Sequence, residues 1–183
     1  VIRGFGARGA GDRSNAGTAR GIRVLLDGVP ETEPDGRTSF DNVDLASVAS
    51  IEVTRSNASS LWGNAAGGVV SLSTLDETQP RFVSLERQAG GFGLARTVLR
   101  AGAPLGQGAA ALSVVNTESD GWRQHSGASR WLATLSAATT VGGRTRLGLY
   151  AVATRNAFRI PGPLTQAEVD SAPAQANATY LAR

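Results

Sequence analysis

The sequence predicts two joined architectures: a small mixed α/β unit over residues 1–76, then antiparallel β-strands over residues 77–183 that are long enough to cross a membrane. Three observations carry this reading. Glycine is abundant, at 23 of 183 residues, and the helix-like stretches of the first unit are short and interleaved with strand signals. Beyond Pro80, five segments of about nine to twelve residues alternate apolar and polar positions. Their connections are short at one end and mostly long at the other.

In the first unit, residues 22–26 (IRVLL) read as a strand that stops at Asp27-Gly28, a pair suited to a tight turn. Residues 44–50 (DLASVAS) read as a short helix, with Asp41 or Asn42 as its cap. It runs into a strand at residues 51–55, where Ile51 and Val53 face one way and Glu52 and Thr54 the other. Residues 56–63 (SNASSLWG) suit one or two helical turns entered through Ser-Asn and closed by Gly63. A third strand is expected at residues 69–74, after Gly67-Gly68.

The five later segments cover residues 81–89, 94–102, 109–117, 130–140 and 144–155. At about 3.3 Å per residue and a tilt of about 40°, such strands match the ~25 Å apolar band of an outer-membrane barrel. In the fifth, Thr145, Leu147, Leu149, Ala151 and Ala153 share one face, and Arg144, Arg146, Gly148, Tyr150 and Val152 the other. Leu99 and Ala101 oppose Arg96 and Arg100 in the same way, and Trp131, Leu135 and Ala137 oppose Thr134 and Ser136. Residues 109–117 are apolar on both faces and cannot be assigned. APLGQG and VGGR are tight connections, ESDGWRQHSGAS is long, and GGFG is a short exception on the long side. Residues 156–183, with Pro161, Pro163 and Pro173, read as part of a long loop.

Composition removes several functions. The chain has no cysteine, and all eighteen basic residues are arginine, so thiol catalysis, disulfides, a P-loop lysine and a Schiff base are excluded. A net charge of +3, dispersed along the chain, gives no nucleic-acid footprint. A single histidine, His125, cannot build a His-based metal site, and no cofactor is expected. Carboxylates such as Glu31, Glu33 and Asp35 lie in a Pro/Gly loop with no pocket implied, so no catalytic residue is assigned. A soluble β-rich binding or adhesin module is the alternative of another class.

IRGFG at residues 2–6, VLLDGVP at 24–30, PDG at 34–36, and IEVTR at 51–55 followed by ASSLWGNAAGGVVSLST at 58–74 occur in an order that resembles the plug domain of TonB-dependent outer-membrane receptors. DGW at residues 120–122 is similar to a common second extracellular loop of that family. The resemblance implies an α/β plug, with residues 1–76 its C-terminal part, followed by the first five of about twenty-two strands of a plugged barrel; the chain would then be a fragment. Arg3, Gly4, Asp27, Gly28, Gly63, Gly67 and Gly68 match the plug motifs. Glu52 and Arg55 match plug-strand charges that lock against the barrel wall, although Arg55-Ser56-Asn57 stands where Arg-Gly-Pro is frequent.

The implied function is active uptake of a scarce ligand across the bacterial outer membrane, most often a ferric siderophore, with haem, cobalamin, other metal chelates or saccharides as alternatives. The implied partners are outer-membrane lipid, the small-molecule ligand, and TonB acting through a preceding N-terminal segment. Arg8, Arg13 and Arg37, in two candidate plug apices at residues 7–19 and 31–39, could pair with an anionic chelate or be solvated loop arginines. Trp122, Arg123 and His125 are further ligand candidates in the long loop, with Trp122 equally suited to an interfacial anchor.

Overall fold

A computed structural model describes residues 6–8, 18–31, 43–63, 65–78 and 80–181. The first unit begins with a two-stranded antiparallel pair, β1 (Gly6–Arg8) and β2 (Thr18–Arg20). A four-stranded mixed sheet follows, built from β3 (Ile22–Leu26), β4 (Val29–Pro30), β5 (Ser50–Thr54) and β6 (Gly68–Ser73) in the order β4-β3-β6-β5. The central β3 and β6 run parallel, and both are covered on two faces, as a parallel pair requires. On one face Leu25 and Val69 pack with Ala58 and Ala65. On the other, Val24, Leu26 and Leu72 pack with Val43, Val48 and Val70.

Asp27 (φ 48°) and Gly28 (φ 83°) both occupy the left-handed region and form the two-residue turn of the β3–β4 hairpin. Gly68 (φ 141°) serves a different need. A Cβ there would collide with the Thr54 carbonyl oxygen, so only glycine lets β6 start this close to the end of β5.

Both expected helices shrink. In place of a helix at residues 44–50 there is one 3-10 turn, Leu45–Ser47, capped by Asp44, whose side chain accepts from Ala46 N–H. Val48 is already extended because it must reach the apolar cluster beneath the sheet. Asp41 and Asn42, the expected caps, lie outside the described residues. The second stretch becomes α1 (Ser59–Trp62), with Ala58 rather than Ser or Asn at its N-cap. The Asn57 side chain still accepts from Ser59 N–H at 3.1 Å, and Gly63 (φ 69°) ends the helix.

All five later segments are strands: β7 (Phe82–Ala89), β8 (Ala95–Pro104), β9 (Ala109–Ser119), β10 (Ala128–Val141) and β11 (Thr145–Phe158). They form an antiparallel meander in chain order. The register resolves the two faces. One carries Leu85, Leu99, Val114, Ala133 and Ala153 in a single cross-strand row, with Val83, Ala101, Leu112, Leu135 and Ala151 in the next. The opposite face carries Gln88, Arg96, Thr117, Arg130 and Asn156 in one row, and Ser84, Arg100, Ser113, Thr134 and Val152 in another. The first unit packs on this polar face. Ser113, 6% exposed, therefore points inward and Leu112, 40% exposed, outward, which assigns the segment that alternation alone left open.

Residues 156–181 contain more order than a loop. They include α2 (Gln166–Ser171) and α3 (Ala178–Leu181), and Thr165 and Glu168 form a reciprocal capping box at α2. Thr-x-x-Glu was a readable start signal that the surrounding prolines masked. The structure yields one direct test of the plug-like sheet. Gly68→Ala should cost about 2–3 kcal/mol through backbone strain and the Thr54 clash. Amide-exchange protection across Ser50–Thr54 and Gly68–Ser73 should fall with it, and unchanged protection would count against the close approach.

Candidate functional site: the interface between the small unit and the strand wall

Where the small sheet meets the inward face of the meander, paired polar groups replace apolar packing. Arg96 on β8 and Arg130 on β10 share one inward row, separated by Thr117 of β9. Asp44, 6% exposed, sits before them. Arg96 donates through Nη2 to Asp44 Oδ1 at 2.7 Å and through Nη1 to Oδ2 at 3.1 Å, a bidentate pair, while Arg130 Nη2 donates to the Val43 carbonyl at 3.2 Å. Burial raises the Asp44 carboxyl pKa. The Arg96 and Ala46 hydrogen bonds and the charges of Arg96 and Arg130 together outweigh it and hold the group below its usual 3.8.

A second tie runs through the β3–β4 turn. Asp27 accepts from Thr74 N–H at 2.8 Å and from the Thr74 hydroxyl at 2.6 Å. Thr74 Oγ1 also shares a 2.6 Å hydrogen bond with Ser136 Oγ on β10. The conformationally demanding turn residue is thus coupled to the strand wall through one buried threonine. A third tie, Glu77 to Arg146, joins the segment leading into β7 to the inward side of β11. Beside these contacts, Asp27, Val29 and Glu31 face Arg146 and Tyr150 across a cleft of about 550 Å³. Burial there raises the Glu31 carboxyl pKa.

At the long-loop end, the connections hold one another. The Phe92 carbonyl, in the short loop between β7 and β8, accepts from Asp120 N–H at 2.9 Å. Gln124 N–H donates to the Ala174 carbonyl at 2.7 Å, and Arg123 donates through Nε and Nη2 to the Gln175 carbonyl at 3.2 and 2.9 Å. Arg159 N–H donates to Gly127 at 2.8 Å. Of the loop candidates, Arg123 is thus engaged in holding two loops together. Trp122 is exposed, and His125 is half-buried with φ 56°.

The other sequence candidates are placed as follows. Asp27, Gly28, Gly63 and Gly68 occupy the turn, cap and close-approach positions above, and Gly67 N–H donates to the Gly21 carbonyl at 2.6 Å. Glu52 and Arg55 are exposed and make no ion pair among the described residues. Arg8 ends β1 opposite Thr18. Arg3, Gly4, Arg13 and Arg37 lie outside the described residues. Sequence reasoning missed Asp44, Arg130, Thr74 and Ser136 as interface residues. It did set Arg96 and Arg100 against an apolar face, and an arginine-bearing inner face calls for a carboxylate from whatever fills it.

Comparison with known proteins agrees with this geometry. Residues 1–69 match the family model described as the TonB-dependent receptor plug domain. The fold is similar to that of the pyoverdine outer-membrane receptor FpvA from Pseudomonas aeruginosa PAO1, solved bound to pyoverdine, with a TM-score of 0.62 and 18% sequence identity. The likeness covers 84% of this chain and 24% of that receptor, so the chain spans about a quarter of its length.

Two outcomes test the interface. Because the Asp44 pKa is lowered in the folded state, its contribution is complete above the ordinary value of 3.8 and is lost as pH falls through the lowered folded value. Asp44→Asn should loosen the interface by about 1–3 kcal/mol near neutral pH and remove that acid-sensitive component, read as urea-induced release of the small unit against pH. For Thr74→Val and Ser136→Ala, a double-mutant cycle should return a coupling of about 1 kcal/mol; additive effects would show that the hydroxyls do not communicate.

Proposed function

From a chain that joins a TonB-dependent receptor plug domain to antiparallel strands with the fold of such a receptor's barrel, we propose a receptor of the bacterial outer membrane that imports a ferric siderophore with energy delivered through TonB. The observation that carries this reading is the docking of the plug on one face of the meander only. The meander's charged face meets Asp44 through Arg96, and its opposite face carries two adjacent apolar rows, Leu85 to Ala153 and Val83 to Ala151. Along β10 that outer face runs Trp131, Ala133, Leu135, Ala137, Thr139 and Val141. Ten residue steps at about 3.3 Å, tilted by about 40°, give a height of about 25 Å, which suits a transmembrane barrel.

Import, rather than catalysis, is the activity that follows from this assignment. Ligand would land on the plug apices at residues 7–19 and 31–39, where Arg8, Arg13 and Arg37 supply cationic donors for carboxylate or catecholate oxygens. Trp122, Arg123 and His125 would border it from the tied loops. Glu52 and Arg55, exposed here, would meet charges on wall strands outside this chain. Movement of the plug would then separate Asp44 from Arg96 and Thr74 from Ser136. The siderophore as ligand is supported by the likeness to a receptor solved with pyoverdine.

Deleting the gene for the complete receptor should abolish uptake of one radiolabelled ferric siderophore and slow growth under iron limitation, with both restored by the wild-type gene. Unimpaired uptake of every ferric siderophore the cell uses would overturn the ligand assignment.

A further inference from the structure

The outward face of the meander is not uniformly apolar. One cross-strand row reads Arg87, Thr97, Asn116, Trp131 and Arg155, each residue paired in register with the next. The two rows directly toward the short-turn end are apolar throughout, Leu85 to Ala153 and then Val83 to Ala151. Arg87 and Arg155 are exposed, and neither has an ionic partner among the described residues. Glu118, two residues nearer the loops on the same face, is turned to Asn116, whose Nδ2 donates to it at 3.2 Å. With strands about 4.8 Å apart, the two guanidiniums flank a strip roughly 19 Å wide, with the Trp131 indole between them.

Resting on the membrane reading above, we propose that this row is a binding site for the phosphorylated headgroup of a lipid in the outer leaflet. The charge complementarity and the position point to that occupant. Guanidinium forms paired, charge-assisted hydrogen bonds to phosphate oxygens, and Trp131 suits the boundary between headgroup and hydrocarbon. The acyl chains then lie over Leu85, Leu99 and Leu112, continuous with the apolar band. The row stands at the long-loop end, the outer side of a barrel with this loop polarity. A free phosphate ion would use the arginines alone and gain nothing from the leucines.

The test uses the full-length receptor in detergent micelles, titrated with bis-phosphorylated lipid A and with its dephosphorylated form. Wild type is expected to prefer the phosphorylated lipid by about tenfold or more, from the loss of charge-assisted contacts in the other. Arg87→Gln with Arg155→Gln should remove the preference, Arg87→Lys with Arg155→Lys should retain part of it, and Arg81→Gln, at the short-turn end, should leave it intact. Single Gln variants, each expected to reduce the preference, give the same reading if the double variant fails to fold. No preference in wild type, a preference that survives the double Gln variant, or equal competition by inorganic phosphate would each overturn the headgroup site. Failure of the membrane reading itself is separable, because the wild-type protein would then fractionate with soluble periplasmic proteins.

Discussion

The carboxylate of Asp44, held between Arg96 and the Arg130 side, is the interaction on which the arrangement depends. The inward face of the meander presents Arg96 and Arg100 on β8 and Arg130 on β10, with β9 between them. Like charges brought together and partly withdrawn from water repel one another and lose hydration. The Asp44 carboxylate pairs with Arg96 and lies within the field of Arg130, which donates to the Val43 carbonyl, while Arg100 lies against the Phe82 ring at 5.7 Å. The pairing also sets orientation, since a bidentate contact is made from one angle only.

The plug reaches that position because its own sheet is compact. Gly68 allows β6 to start beside the Thr54 carbonyl, and Asp27-Gly28 reverses the chain in two residues. Asp27 then serves twice, adopting the left-handed turn conformation and fixing Thr74, whose hydroxyl touches Ser136 on the wall. Backbone geometry inside the plug and adhesion to the wall are therefore mechanically linked. Distributed polar ties of this kind hold one unit against another without forming a single apolar core with it.

The loops at the opposite end of the strands are joined to one another rather than splayed. The short GGFG connection, out of place for a long-loop side, is used as a bracket: the Phe92 carbonyl receives the start of the next loop. Arg123 and Gln124 then bind that loop to residues 174–176. Several main-chain contacts thus hold the segment that carries the exposed Trp122.

The alternation of β7 to β11, the asymmetry of their connections, the Asp27-Gly28 turn and the ordered plug phrases were all legible in the sequence. Each depends on local sterics or on a two-residue period that any neighbour must respect. Helix extent at residues 44–50, the faces of β9 and the order within residues 156–181 were not, because burial of Val48, the pairing of Ser113 and the contacts of Arg123 involve residues far along the chain. The same holds for the interface. Arg96, Thr74 and Asp27 are visible as residue types, but their partners lie 47 to 62 positions away in chain number. Local chemistry thus determined which elements form and which faces are polar, and the tertiary structure alone decided which charges meet, since that choice depends on distances set only when the plug sheet is laid against the wall.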